Sequence, residues 1–426
     1  MVFPSCWVGE WTEARCNAML DNAKFLAMVL VLFDHLASLP GIQLPPGRAV
    51  SKAVRFHMPL MVLLSGCHSL KALTNDRLSR IVVFTVAPLV IFKFVLEPSL
   101  DLLTTTVLKG NGAGVNHLDL GALYNDPLSV LLMTKNWDEA WYLRCLICWR
   151  FIAPLIACFF LRCGSVVALA IGVSSAYMQY PAFDKLVWTH TAALLPFFWF
   201  GSLFGQQLFS RPIPLWPATR LAIGWVAFLG YICFWILFED QADVLLRAVE
   251  LFPNNWQSMR PLLTRECPAD FLFLWARYLG FLMLRGTTAI LFLVNCVPRS
   301  QMPFTRLGSF TIYPYLLHRC VLDFVQRTVL VGGKAECPGW IWNWACGDSE
   351  RHHPSLELRL QWCMQSAVSL LLAFALAYLL ASWPFRVLFE WACRPKWLKR
   401  FFRPSLPEAE PAALQAKAEL SKVKAL

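Results

Sequence analysis

The run DNAKFLAMVLVLFDHLASLP, residues 21–40, places Lys24, Asp34 and His35 in an otherwise apolar stretch. Further apolar runs hold His57, Lys93, Arg150, Arg277, Arg285 and His318. An ionisable side chain inside hydrocarbon is costly, and by default it marks a functional site. An imidazole exchanges a proton near neutral pH, which suits it to acid–base work or a proton relay. Lysine and arginine hold anionic groups. The competing reading for each residue is an interhelical hydrogen bond or ion pair. A lone arginine near the end of a run, such as Arg277, is best read as snorkelling or paired. Histidines deep in several runs weigh towards chemistry.

Spacing sharpens this. Lys24 and His35 are eleven residues apart. On a helix that separation returns to within roughly 20° of the same face, about 16 Å along the axis. Lys24 is then expected at the cytosolic mouth of a span and His35 just beyond the midplane. His318 lies twelve residues beyond Arg306, or about 18 Å, so His35 and His318 are expected in a similar layer. His57 is expected nearer the outer face. Asp34 points about 100° away from His35, which makes a salt bridge to another helix as good a reading as a partnership with His35.

These residues must be positioned by membrane helices. The chain has 426 residues, 57% hydrophobic and only 15% charged, too little charge to cover a soluble protein of this size. The reading is an all-α polytopic membrane protein of about ten spans. They fall at roughly 23–39, 53–70, 81–100, 140–161, 165–180, 190–208, 220–238, 270–296, 306–330 and 362–389. A cytosolic segment, 1–22, precedes a transmembrane domain, 23–392, and a basic then loose cytosolic tail, 393–426, follows. The first 20 residues lack a basic stretch followed by an apolar core, so no cleaved signal peptide is expected.

Lys and Arg of the short connections set the orientation. Lys71, Arg77, Arg80, Arg162, Arg211, Arg220, Arg299 and Arg306 share one side with the tail cluster Arg394, Lys396, Lys399, Arg400 and Arg403. That side is read as cytosol, with both termini inside. The tail cluster suits anionic lipid. The net charge of +11 is spread over loops and tail, which argues against nucleic acid. Cys67, Cys158, Cys233, Cys296 and Cys363 read as small hydrophobes, and the Cys145/Cys148 pair as packing more than a metal or redox site. Cys337 and Cys346 fall in an outer loop, where a disulfide and free thiols are equally open.

The segments together resemble the acyltransferase-3 family of integral membrane acyltransferases, particularly its fucose O-acetylase-like branch. DNAKFLAMVLVLFDHL resembles the first span, with Lys24 and His35 at the places of its basic residue and histidine. FHMPLMVLLSG (56–66) resembles the second, RLSR (77–80) its RxxR, and WYLRCLICWRFIAPL (141–155) its Trp-Tyr-Leu span. LLPFFWFGSLFG and LGSFTIYPYLLH, the latter ending at His318, match later elements in order. Asp34 stands where a small residue is common, and Pro314 interrupts a smoother Tyr-rich segment.

The resemblance implies transfer of an acyl group, usually acetyl, from cytosolic acyl-CoA to a hydroxyl of a glycan or glycolipid. Acetyl-CoA would be a co-substrate, with no bound cofactor and no metal. The resemblance implies His35 as the base that takes the hydroxyl proton, with His318 or His57 orienting the acceptor or stabilising the oxyanion. Lys24, Arg77 and Arg80 would hold CoA phosphates, although positive-inside topology explains the two arginines equally. Arg150, Trp141 and Tyr142 are candidates for acceptor binding, with interfacial anchoring the plainer account of the aromatics. Ser65 and Gly66 read as a close helix contact. A plasma-membrane or secretory-pathway location fits. The rival is a transporter using buried His and Arg as a relay; it predicts internal repeats, which the sequence does not show.

Overall fold

The computed structural model describes residues 13–37, 53–67, 78, 80–100, 140–159, 163–174, 188–210, 217–238, 268–330 and 356–398. Regular structure among them is helical throughout. In chain order the helices are α1 (Glu13–Ala37), α2 (His57–Gly66), α3 (Val82–Leu100), α4 (Trp141–Phe159), α5 (Gly164–Ser174) and α6 (Trp188–Ser210). They continue as α7 (Pro217–Leu237), α8 (Pro268–Cys296), a single turn α9 (Thr305–Gly308), α10 (Ile312–Leu330), α11 (Leu356–Ala381) and α12 (Trp383–Cys393).

α1 is the central helix. It packs against α2, α6, α9, α10 and α11. Phe25, Ala27, Met28 and Leu32 lose all contact with the surroundings. A helix sheathed by other helices need not be apolar, because protein groups rather than lipid meet its polar side chains. That is why the segment with Asn22, Lys24, Asp34 and His35 can lie at the centre.

The peripheral helices show the opposite pattern. Val166, Ile223, Val226, Met283, Leu291, Val368 and Leu371 stand exposed on α5, α7, α8 and α11. Apolar surface on that scale is suited to acyl chains.

Glycines bring α2 and α6 into backbone contact. A Cβ at Gly201 would overlap the Leu63 carbonyl, and one at Gly66 the Phe198 carbonyl. Small residues permit such close approach between membrane helices. The contact reading of Gly66 is met.

Four helices, Val82–Leu100, Trp141–Phe159, Ala218–Leu237 and Tyr278–Cys296, are long and apolar enough to cross a bilayer, and α11 with α12 makes a fifth if that bent pair is one span. Each of the ten expected segments carries helix, but a helix is not by itself a crossing. α2 has 10 residues and α5 has 11, about 15–17 Å each against a hydrocarbon core of about 30 Å. The count of about ten and the cytosolic termini stay expectations.

Three boundaries differ from the sequence reading, the first being that the expected span 306–330 is interrupted at 309–311, between α9 and α10, so that His318 lies in the second turn of α10. α1 starts at Glu13 rather than near 23, so Lys24 sits midway along the helix and His35 in its last turn. The last expected span breaks at Ser382 with a bend of 64°. Pro384 explains the break: it has no N–H to continue α11 and fits the first turn of α12. α3 contains two π-turns, Val82–Val86 and Phe92–Leu96.

Candidate functional site

Two histidines from distant parts of the chain meet. The rings of His35 on α1 and His318 on α10 lie 5.0 Å apart, centre to centre. His318 is buried. Its Nδ1 is 2.9 Å from the carbonyl of Pro314 and 2.7 Å from that of Tyr315. A carbonyl can only accept, so Nδ1 carries the proton and Nε2 of the neutral ring carries the lone pair. The helix α10 thus fixes the tautomer of its own histidine through the preceding turn.

His57 takes a different neighbour. Its Nδ1 donates to the Val54 carbonyl at 2.6 Å, and its Nε2 is 3.8 Å from Asp34 Oδ2. Asp34 therefore faces α2 while His35 faces α10, the divergence that one residue step on a helix produces. Arg285, fully enclosed on α8, lies within electrostatic reach of His57.

Aromatic contacts lead from the histidine pair into a cavity. The Tyr315 ring is 6.2 Å from His318 and 5.4 Å from Tyr142. The Tyr142 hydroxyl donates to the Met61 carbonyl at 3.3 Å. Ser65 Oγ, 2.5 Å from that hydroxyl, is then the donor to it. Tyr142, Ser65 and Tyr315 line a cavity of about 230 Å³, together with Lys24, Arg150, Gly308, Ser309, Thr311, Cys393 and Arg394. Its apolar wall is Met61, Leu64, Phe84, Leu143, Leu146 and Ile312. Tyr142, Leu146 and Arg150 follow one face of α4 at steps of four, the spacing of a single helix stripe.

Three cations from three elements, Lys24, Arg150 and Arg394, reach this cavity, and among the described residues its lining holds no carboxylate. Lys24 Nζ is 3.3 Å from Asp21 Oδ1, just outside the lining. Arg150 donates through Nη1 to Thr85 Oγ1 on the first π-turn of α3. The net field in the cavity suits an anion.

A buried amide fixes one wall. Asn22 Nδ2 donates to the carbonyls of Pro298 and Ser300, each at 2.9 Å. Asn22 Oδ1 accepts from Thr305 Oγ1 at 2.6 Å, and Thr305 Oγ1 accepts from the Met302 amide at 2.6 Å. Gly308 then lies so close to α1 that a Cβ would overlap the Asp21 carbonyl.

The residues singled out from sequence distribute as follows. His35 and His318 come together, and Lys24 and Arg150 share the cavity. His57 pairs with Asp34. Tyr142 is buried in the cavity wall, against Ser65 and Met61 of α2 and Tyr315 of α10. Trp141 is half-buried, 4.9 Å from the His190 ring. Arg80 is exposed and does not line the cavity; Arg77, Cys337 and Cys346 lie outside the described residues. Asn22, Tyr315 and Arg394 escaped notice as site residues. Asn22 had a signal, being a second polar residue two positions before Lys24. Tyr315 lay in a motif already quoted.

Residues 17–383 match the acyltransferase-3 family, described as an acyltransferase domain. Neither the comparison with curated proteins nor that with solved structures gave a match.

Proposed function

The chain belongs to the acyltransferase-3 family, and on that premise we propose that it moves an acetyl or other short acyl group from cytosolic acyl-CoA to a hydroxyl of a glycan or glycolipid. As a member it is an integral, multi-pass membrane enzyme that needs an acyl donor and an acceptor. The donor, the acyl group, the acceptor and the fucose O-acetylase-like branch are the finer parts of this reading. The match is at the level of the family.

The observation that carries it is the His35–His318 pair, joined through Tyr315 to a cavity that holds Lys24, Arg150 and Arg394. An alcohol is a weak nucleophile at neutral pH, and a neutral imidazole is matched to take its proton. His35, partly open where His318 is buried, takes the acceptor hydroxyl proton. The oxygen attacks the thioester carbonyl, the C–O bond forms and the C–S bond breaks. The thiolate leaves and recovers the proton as the thiol of CoA. His318, held by two carbonyls, positions His35. The three cations hold the donor phosphates.

Purified protein in proteoliposomes, given labelled acetyl-CoA and a hydroxyl-bearing glycan, tests this. A mass shift of one acyl group on the glycan with release of free CoA thiol is expected. Flux of intact solute with no acyl transfer to any acceptor would establish a transporter instead.

A further inference from the structure

We propose that Arg394, on the exit of the C-terminal helix α12, is a phosphate-binding residue for the acyl donor, supplied to the cavity by an element beyond the family-matched domain. This rests on the donor being an acyl-CoA, as proposed above. The basic tail suggested anionic lipid as the partner of Arg394; the geometry points to the cavity.

The first observation is position. The family match ends at 383, and α12 runs from there to Cys393. The 64° bend at Ser382 turns α12 aside from the axis of α11, and α12 packs on α3 and α10. Cys393 and Arg394 thereby become cavity wall beside Lys24 and Arg150.

The second is how Arg394 is held. Its Cζ lies 5.0 Å from the Phe310 ring centre, and Arg386 Cζ lies 4.0 Å from the same ring. Phe310 belongs to the turn whose Ser309 and Thr311 also line the cavity. Stacking on an aromatic face orients a guanidinium without neutralising it and leaves its N–H edge to bind.

The third is charge. Lys24, Arg150 and Arg394 converge on one cavity whose lining, among the described residues, has no carboxylate, and such a cluster favours an anion. A phosphate or pyrophosphate group, with several acceptor oxygens, fits such a cluster.

The fourth is how α12 is seated. Trp383, Val387, Leu388 and Trp391 are exposed along one side, while Ala392 and Cys393 are buried. A helix with an apolar, Trp-bearing outer face and a packed inner face lies along a membrane interface. Its inner end carries Arg394 into the cavity lining.

The test compares wild type, Arg394→Ala and Arg394→Lys in proteoliposomes of phosphatidylcholine alone and with added anionic lipid. Donors are acyl-CoA and acyl-pantetheine, which lacks the phosphates, and direct binding of CoA is measured alongside transfer. Arg394→Ala should raise KM for acyl-CoA and weaken CoA binding about tenfold or more, with kcat little changed. KM for acyl-pantetheine should not move, Arg394→Lys should recover part of the loss, and both lipid mixtures should agree. An equal rise for both donors would make the residue structural, and an effect confined to anionic vesicles would assign it to lipid; either overturns the proposal. Wild type that transfers normally with Arg394→Ala indistinguishable from it also overturns it, leaving the proposed function intact. Wild type that transfers nothing yet binds CoA through Arg394 overturns the proposed reaction and keeps the site. Wild type that neither transfers nor binds CoA overturns both.

Discussion

Asn22 Oδ1 on α1 accepts a 2.6 Å hydrogen bond from Thr305 Oγ1, 283 residues further along the chain. Both amide protons of Asn22 are also used, on the carbonyls of Pro298 and Ser300. One side chain thus ties the central helix to the connection between α8 and α10, two residues before Lys24. It holds in place the turn that ends at Gly308 and opens the cavity wall.

Asn22→Ala should therefore destabilise the protein and loosen the donor cavity together. It leaves the buried Pro298 carbonyl and the Thr305 hydroxyl short of partners, each costing about 1–3 kcal/mol, while the part-buried Ser300 carbonyl can turn to water. The expected outcome is a lower thermal midpoint in detergent and a raised KM for the donor, with kcat changed less. Asn22→Asp, which keeps the acceptor and loses the donors, should be intermediate or worse. A midpoint equal to wild type would show that water replaces the network without loss.

His35→Ala should lower the transfer step about 10²–10⁴-fold while leaving insertion and thermal stability close to wild type, since the ring lies in the last turn of α1 and is only half-buried. His318→Asn separates positioning from proton transfer. An asparagine amide can still donate within α10 but has no basic nitrogen. If His318 only positions His35, single-turnover transfer in His318→Asn should exceed that in His35→Ala. The reverse order would make His318 the base.

Much of this arrangement was legible because helical geometry acts on sequence directly. The eleven-residue step from Lys24 to His35 put a cation and an imidazole on one face; His35 and His318 do meet, although the continuous helix from Arg306 on which their shared layer was reckoned is broken at 309–311. The step from Asp34 to His35 sent the two side chains to different helices, as the pairing of Asp34 with His57 shows. What escaped has physical reasons too. The helix α1 begins ten residues before the expected span, at Glu13, because its polar first turns continue a helix that apolar patterning alone does not mark. Tyr142 read as an interfacial anchor because nothing in WYLRC says that α2 and α10 cover it. Arg394 read as one of many basic tail residues, since a bend at Ser382 that turns a helix aside is invisible in composition, although Pro384 marked its place.

Gly201→Ala should be far more damaging than Gly230→Ala. At Gly201 a methyl meets the Leu63 carbonyl, and rigid backbone on both sides cannot yield. At Gly230 on α7 an added Cβ meets nothing within 4 Å. Overpacking costs about 1–3 kcal/mol, whereas alanine for glycine in an open helix position gains about 0.5–1 kcal/mol. The yield of monodisperse protein after detergent extraction, and its thermal midpoint, should fall for Gly201→Ala and hold or rise for Gly230→Ala. Equal behaviour would show that α2 and α6 can separate without loss.

The pairing of Lys24 with Asp21 gives a prediction with an unusual sign. Their 3.3 Å contact is part-exposed, where an ion pair contributes only about 0–1 kcal/mol to stability. Its larger effect is on the cavity, because Asp21 draws on the charge that Lys24 offers to a donor phosphate. Lys24→Ala should raise donor KM about tenfold, the loss of one charged contact. Asp21→Asn should instead lower it a few-fold, by about 0.5–1 kcal/mol. In the double variant, Asp21→Asn should bring little further gain, since the lysine it would release is gone. KM for acyl-CoA across these variants settles the sign. A rise in Asp21→Asn would mean that the carboxylate aims the ammonium rather than competing for it, and that the cavity depends on the pair as a unit.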